Sequence, residues 1–211
     1  MPAAKDVRFW DRTARKYAAS PIEDMAGYER SIEHARRLLK STDVVFEFGC
    51  GTGTTALKLA PSVARYVATD FSAEMIAIAR EKAAAEGCAN VEFAVTAPES
   101  AHWPDASFDA ALGFNVLHLI EDRGTALRGV HRVLKPGGLF LSKTPQLKAM
   151  NVGIRLLVPL MQAVGQAPYV SFLSAEDLER EITANGFEII DRAKHSSGKK
   201  DMRTFFVARK I

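Results

Sequence analysis

The sequence predicts an α/β fold in which helices cover both faces of a mostly parallel sheet, and three observations carry that prediction. Short apolar strand patterns alternate with helical ones along the chain, an order that joins parallel strands through right-handed crossovers. The run Val44 to Phe48 is apolar on both faces apart from Glu47, as in a strand buried between two helical layers. The last two strand patterns, Glu188 to Asp191 and Thr204 to Ala208, have only a loop between them. They must pair as an antiparallel hairpin, which breaks the otherwise parallel order.

A chain of 211 residues is long enough for one sizeable α/β domain and hardly for a second. The expectation is a single domain over 1–211, with 1–40 as a helical cap and 145–173 as an insert covering the substrate. An apolar fraction of 47% with 25% charged residues marks an ordinary globular protein. The net charge of +3 is too small and too dispersed to argue for nucleic acid; the densest cluster, Lys199-Lys200 with Arg203, reads as a solvated loop. No apolar run has the length of a membrane span, and the start of the chain lacks a secretory segment, so a cytoplasmic location is expected. Cys50 and Cys88 stand apart from each other and from ligand-spaced histidines, which indicates neither a disulfide framework nor a metal site.

Taken in order, Asp6 to Leu39 reads as helical, with Phe9, Trp10 and Tyr17 among basic residues and Ile32, Ala35 and Leu38-Leu39 forming an apolar pattern. After the Val44 to Phe48 strand, Thr54 to Leu59 is helical and Pro61 ends it before the strand Arg65 to Thr69. Ser72 caps a helix over Ala73 to Glu86, which Gly87 stops. Val91 to Val95 and Ala110 to Phe114 are further strands, Arg123 to Leu134 a helix, Lys135-Pro136-Gly137-Gly138 a turn and Leu139 to Lys143 a strand. From Pro145 to Phe172 the rhythm breaks. Leu156, Leu157, Leu160, Met161 and Val164 recur there at helical spacing around Pro159, and with Tyr169 and Phe172 they favour an apolar substrate pocket. Ser174 to Asp177 begins a helix in the manner of a capping box, and Asn185-Gly186 ends it.

The chemistry concentrates where the first strand opens into Gly49, Gly51 and Gly53. Glycines there permit positive φ and let a ligand approach the backbone. The spacing is G-x-G-x-G and not the G-x-G-x-x-G of dinucleotide sites, and Glu47, just ahead of it, would repel phosphates. A carboxylate at that strand end suits a cationic amino group, hence a ligand with an amino acid moiety and a nucleoside. Asp70 lies 21 residues beyond Gly49, close to the interval of about 20 at which a carboxylate meets ribose hydroxyls. Tyr17 either packs on the sheet edge or lies over the glycine bend.

With those residues in view, the chain resembles the class I S-adenosylmethionine-dependent methyltransferases from about Phe9 to its end. Glu47-Phe48-Gly49-Cys50-Gly51-Thr52-Gly53 is similar to that family's first motif, which contacts the methionine part of the cofactor, and Asp70-Phe71-Ser72-Ala73-Glu74-Met75 to its ribose motif. Phe108-Asp109, Asn115-Val116-Leu117-His118 and Val133-Leu134-Lys135-Pro136-Gly137-Gly138 match later signatures in order and spacing. The resemblance implies a Rossmann-like, seven-stranded sheet with its final strand antiparallel. It implies S-adenosylmethionine as cofactor, S-adenosylhomocysteine as product and a small molecule, lipid or quinone as acceptor. Cofactor contacts are thereby expected from Tyr17, Glu47, Gly49, Cys50, Gly51, Gly53, Asp70, Phe71, Met75, Thr96, Ala97 and Asn115. Thr96-Ala97 departs from the family, many of whose members carry there an Asp that reaches the adenine; Thr96, backbone or Glu99 must supply that contact.

Because a sulfonium is already an activated methyl donor, the protein must align a nucleophile, exclude water and handle charge. His118, after the fourth strand, is the candidate general base, with a packing or substrate-contact role as its alternative and His102 as a lesser candidate. His34, His131 and His195 read as structural or solvated. Two competing functions stay open: a nicotinamide-dependent oxidoreductase, and a module that binds the methyl donor without transferring its methyl group.

Overall fold

The computed structural model describes residues 3–100, 102–149, 152–163, 165–198 and 203–211. Helices α1 (Ala4–Ala19) and α2 (Met25–Leu38) precede β1 (Val44–Phe48), α3 (Thr54–Leu59), β2 (Arg65–Asp70), α4 (Ala73–Glu86) and β3 (Val91–Val95). Then follow β4 (Phe108–Phe114), α5 (Arg123–Val133), β5 (Leu134–Pro145), α6 (Val152–Ala163), α7 (Ala175–Ala184), β6 (Phe187–Lys194) and β7 (Arg203–Lys210). The strands form one seven-stranded sheet in the order β3-β2-β1-β4-β5-β7-β6. Pairings from β3 through β5 are parallel, and β7 runs antiparallel to both β5 and β6. The hairpin expected from the missing crossover is therefore present.

Alternation along each strand divides the core in two. Val45, Ala68, Leu112, Leu141, Phe205 and Val207 meet Ile32 and Ala35 of α2, Leu57 and Leu59 of α3 and Ile76 and Ala79 of α4. On the other face Phe46, Phe48, Phe140 and Phe206 meet Leu127 and Val130 of α5 and Leu178 and Ile182 of α7. Each fully buried aliphatic or aromatic side chain contributes about 1.5–3 kcal/mol, which is why β1, apolar on both faces, sits inside the sheet between β2 and β4. A smaller cluster of Ala14, Met75 and Ile78 fastens α1 to α4.

Two expectations about elements need correction. The stretch Lys135 to Gly138 is not a turn ahead of the fifth strand: β5 already starts at Leu134, pairs there with Phe108, and shifts register before Ala110 meets Leu139. Gly137 at φ 73° takes up that irregularity, which propensity alone reads as a turn. Leu157 and Leu160 of α6 do not form a pocket wall, because they point to solvent at 55% and 68% exposure. Val164 lies outside the described residues, and α6 runs on through Pro159.

Three features hold the ends of the strands in place. Asp109 accepts from Val44 N–H (2.9 Å) and from Lys135 Nζ (2.6 Å), tying the amino ends of β1 and β4 to β5. Ser174 and Asp177 form the capping box of α7. The Ser72 hydroxyl accepts from Met75 N–H at the start of α4 and donates to Asp11 of α1 (2.6 Å).

Candidate active site

At the carboxyl ends of β1, β2, β4 and β5 lies a cavity of about 1190 Å3, walled on the far side by α1 and α2. Of the expected site residues, Tyr17, Glu47, Gly49, Cys50, Gly51, Asp70, Phe71, Met75, Thr96, Ala97, Asn115 and His118 all line it. Gly53 does not. Its φ of 76° lets the chain enter α3, and a Cβ there would come within 2.9 Å of Ala79 and of the Phe93 ring. Gly53 thus permits helix–sheet packing and makes no ligand surface, a role that the alternating-glycine pattern concealed.

The other two glycines also differ. Gly49 (φ 65°) would carry its Cβ to 2.2 Å from Val116 Cγ2, so it accommodates a protein side chain. Gly51 (φ 54°) opens onto space, with Tyr17 Cε1 at 3.8 Å as the nearest atom. Of the three glycines of the bend, only Gly51 has open space where a side chain would stand. Tyr17, 52% exposed, lies over the bend, as one of its two expected roles required.

Two carboxyl groups flank this opening. Glu47 is 2% exposed and accepts from the Tyr66 hydroxyl at 2.9 Å. Burial pushes its carboxyl up to about 8 against the pull of the Tyr66 hydrogen bond, and the Asp70 charge adds to the rise. Asp70, 9% exposed, accepts from Gly51 N–H (3.0 Å) and Ser72 N–H (2.9 Å). Burial raises its pKa, and those two backbone hydrogen bonds oppose the shift. Asp70 thereby ties the bend to the end of β2, and each oxygen retains a lone pair for a further donor. Thr96 N–H donates to Asp70 O (3.0 Å), which sets Thr96 and Ala97 at the same rim, with Glu99 beside them.

Opposite, Asn115 follows β4 at φ 55°, in the left-handed region that Asn tolerates, and its N–H donates to Lys143 O (2.6 Å). That bend delivers His118 to the cavity on a short helical turn, Leu117–Leu119. Burial lowers its imidazole to about 4, with the Arg203 charge adding to the effect, and its Nδ1 is buried without a hydrogen-bond partner among the described residues. His118 is thus a neutral imidazole at physiological pH and a weak base. His102 is exposed and does not reach the cavity.

Several lining residues escaped sequence reasoning. Tyr28 and Thr55 share a hydrogen bond (3.3 Å), and Ser31, Lys143 and Arg203 reach the same space. Arg203 is thus part of the cavity and not of a solvated loop; Lys199 and Lys200 lie outside the described residues. The signal for Lys143 was available, since it continues the inward positions Leu139 and Leu141 at the ligand end of β5. His195 is buried, and His34 stacks on Phe205 with ring centroids 4.7 Å apart. Among the described residues no cluster of His, Cys, Asp and Glu is placed to hold a metal ion.

A family model described as "Methyltransferase domain" matches residues 45–138, the stretch that carries Glu47, the glycines, Asp70 and His118. The chain is 38% identical over 97 residues to the uncharacterized methyltransferase YcgJ of Bacillus subtilis, covering 46% of this chain and 38% of that protein. It is 26% identical over 202 residues to the ubiquinone biosynthesis O-methyltransferase of Sinorhizobium medicae, covering 90% and 81% respectively. The cyclase SpnF has the same fold, with a TM-score of 0.70 at 21% identity over 86% of this chain and 80% of that one.

Proposed function

We propose that the chain is a class I S-adenosylmethionine-dependent methyltransferase, as the methyltransferase-domain match and the methyltransferase relatives support, and that it transfers a methyl group from S-adenosylmethionine to a small, fairly apolar acceptor by direct in-line displacement. One observation carries the reading: Glu47 and Asp70 line a single cavity together with Gly51, the one glycine of the bend that faces open space. A buried carboxyl held at about 8 lacks a cation, and an α-ammonium group would supply it. Asp70 can accept from ribose hydroxyls, Tyr17 covers the bend, and Thr96, Ala97 and Phe71 offer the rim to the base. The residues present therefore fit the cofactor, which when bound brings an electrophilic methyl on a sulfonium. The protein's part is to grip, orient and desolvate, with residues 1–40 as the cap and 145–173 as the cover.

The name of the Sinorhizobium relative supports a quinone-type small molecule, and the cavity's Phe9, Trp10, Phe114 and Tyr169 would suit one. No helix among the described residues is long and apolar enough to cross a membrane, and a cytoplasmic setting is part of this reading. SpnF is a cyclase on the same fold, which supports a second reading in which the donor is bound but its methyl is not transferred. Titration calorimetry separates the cases. S-adenosylmethionine should bind the wild type and fail to bind Asp70→Ala and Gly51→Val; undiminished binding by both variants contradicts the site. NADH fluorescence unchanged on mixing disposes of an oxidoreductase. A quinol and phenol screen with labelled donor then decides between transfer and mere binding.

A further inference from the structure

Methylating a hydroxyl leaves one proton to be removed from an enclosed site. His118 is a poor destination for it, since burial holds the imidazole near 4. Another group lines the same cavity. Lys143 is 7% exposed, and its Nζ donates to Ser31 Oγ at 2.6 Å, with Ser31 also lining the cavity. Behind Ser31 a row of polar groups leads away from the site. Ser31 Oγ is 3.2 Å from His195 Nδ1, His195 Nε2 is 3.2 Å from His34 Nδ1, and His34 Nε2 is 3.3 Å from Asp191 Oδ2. Neither histidine lines the cavity, and the Asp191 side chain is half exposed.

Polar groups buried against Ile32, Ala35 and Phe205 are costly unless each is hydrogen-bonded. With both histidines neutral, the row is satisfied when each carries its proton on Nε2 and every group donates outward, Lys143 to Ser31 to His195 to His34 to Asp191. Ser31 has a single proton with a second acceptor, Gly27 O at 2.9 Å, so rotation of one hydroxyl connects or breaks the row.

We infer that Lys143 is a catalytic residue that accepts the proton of a hydroxyl acceptor, and that Ser31, His195 and His34 pass a proton to Asp191 at the surface. The inference rests on the methyl-transfer reading and names its acceptor class: an acidic hydroxyl, phenol or enol, in contrast to a sulfide or tertiary amine, which has no proton to lose. The acceptor's O–H bond breaks, and its electron pair forms the new bond from oxygen to the methyl carbon while the carbon–sulfur pair returns to sulfur. Lys143 first gives one of its protons to Ser31, each later member shifts one proton outward and Asp191 releases the last to water; the neutral amine so left has the lone pair that takes the acceptor's proton. The other charged or titratable groups lining this cavity include Arg203 from β7, His118 from its turn, Tyr28 and Asp24 at α2, Tyr17 from α1, Glu47 from β1 and Asp70 from β2. Arg203 disfavours a second positive charge on His118 and leaves the outward route.

The probe is 4-nitrocatechol, whose visible absorbance reports its ionisation, added to protein loaded with S-adenosylhomocysteine. Bound to the wild type it should ionise about one pH unit lower than when free. Lys143→Met should abolish that shift without weakening S-adenosylhomocysteine binding. Lys143→Arg, which keeps the charge but cannot pass a proton, should retain the shift and lower kcat for methylation of the same catechol by about 10²-fold. His34→Phe should lower kcat with KM unchanged. Ring-nitrogen NMR should show Nε2–H tautomers of His34 and His195 at neutral pH. A catechol that does not bind, full activity in Lys143→Arg, or a doubly protonated His195 would each overturn the inference. If S-adenosylmethionine itself fails to bind the wild type, the methyl-transfer reading has failed first.

Discussion

At the scale of single residues, Glu47 decides how binding responds to pH. Its carboxyl ionises near 8 in the free protein, so at neutral pH an incoming ammonium group must expel a proton. Affinity for S-adenosylmethionine should climb as pH rises toward 8, then fall once the ligand's α-amino group, ordinarily about 7.7–8.0, loses its charge. Calorimetry at pH 7 in buffers of different ionisation heat should register proton release; an affinity flat from pH 6 to 8 would count against the pairing. The stability consequence has a definite sign. A folded pKa raised above the ordinary 4.5 contributes stability that is fully present below 4.5 and lost as pH rises through about 8. Glu47→Gln, which cannot ionise, should therefore melt higher than the wild type at pH 9 and lose the ligand.

At the scale of elements, the glycine bend combines two requirements that substitution can separate. An alanine at position 49 meets both left-handed strain and a Cβ contact of 2.2 Å with Val116. The strain costs about 1–2 kcal/mol, and crowding a packed core costs about 1–3 kcal/mol more. At position 51 only the strain applies, because the space beyond is open. In urea, Gly49→Ala should lose clearly more stability than Gly51→Ala, whereas Gly51→Ala should lose more cofactor affinity than its stability loss explains. Equal losses at the two positions would mean that both glycines serve the fold alone. The same scale explains the misread fifth strand: Lys135 to Gly138 has turn chemistry, but pairing of Leu134 with Phe108 begins the ladder before it.

Over the whole molecule, the strands have a chemical end and a structural end. Glu47, Asp70, His118 and Lys143 gather at the carboxyl end, while Asp109, Val44 and Lys135 lock the amino end. Cofactor at a hundredfold excess over Kd should stabilise the fold by about 2.7 kcal/mol. In hydrogen exchange the added protection should appear in α1, the Gly49 to Gly53 bend and the turn Leu117–Leu119. Amides at the amino end of β4 should change little. Protection spread evenly over both ends would show that binding does not occur in this cavity.

By itself the sequence determined the alternating elements, the antiparallel hairpin, and a glycine bend framed by Glu47 and Asp70, because each depends on local spacing or connectivity. Strand length fixes which end of a parallel strand a residue occupies, so Glu47 could be assigned to the ligand end before any packing was known. Tertiary structure alone decided that Gly53 packs on Ala79 and Phe93 while Gly51 faces open space, since the two share the same backbone preference and differ only in their neighbours. It also left Leu157 and Leu160 on the surface, for a helical period reveals a face but not what covers it. Lys143, Ser31, His195, His34 and Asp191 come from strand, helix and loop far apart in the chain, and only folding brings their polar atoms within 3.3 Å of one another in succession.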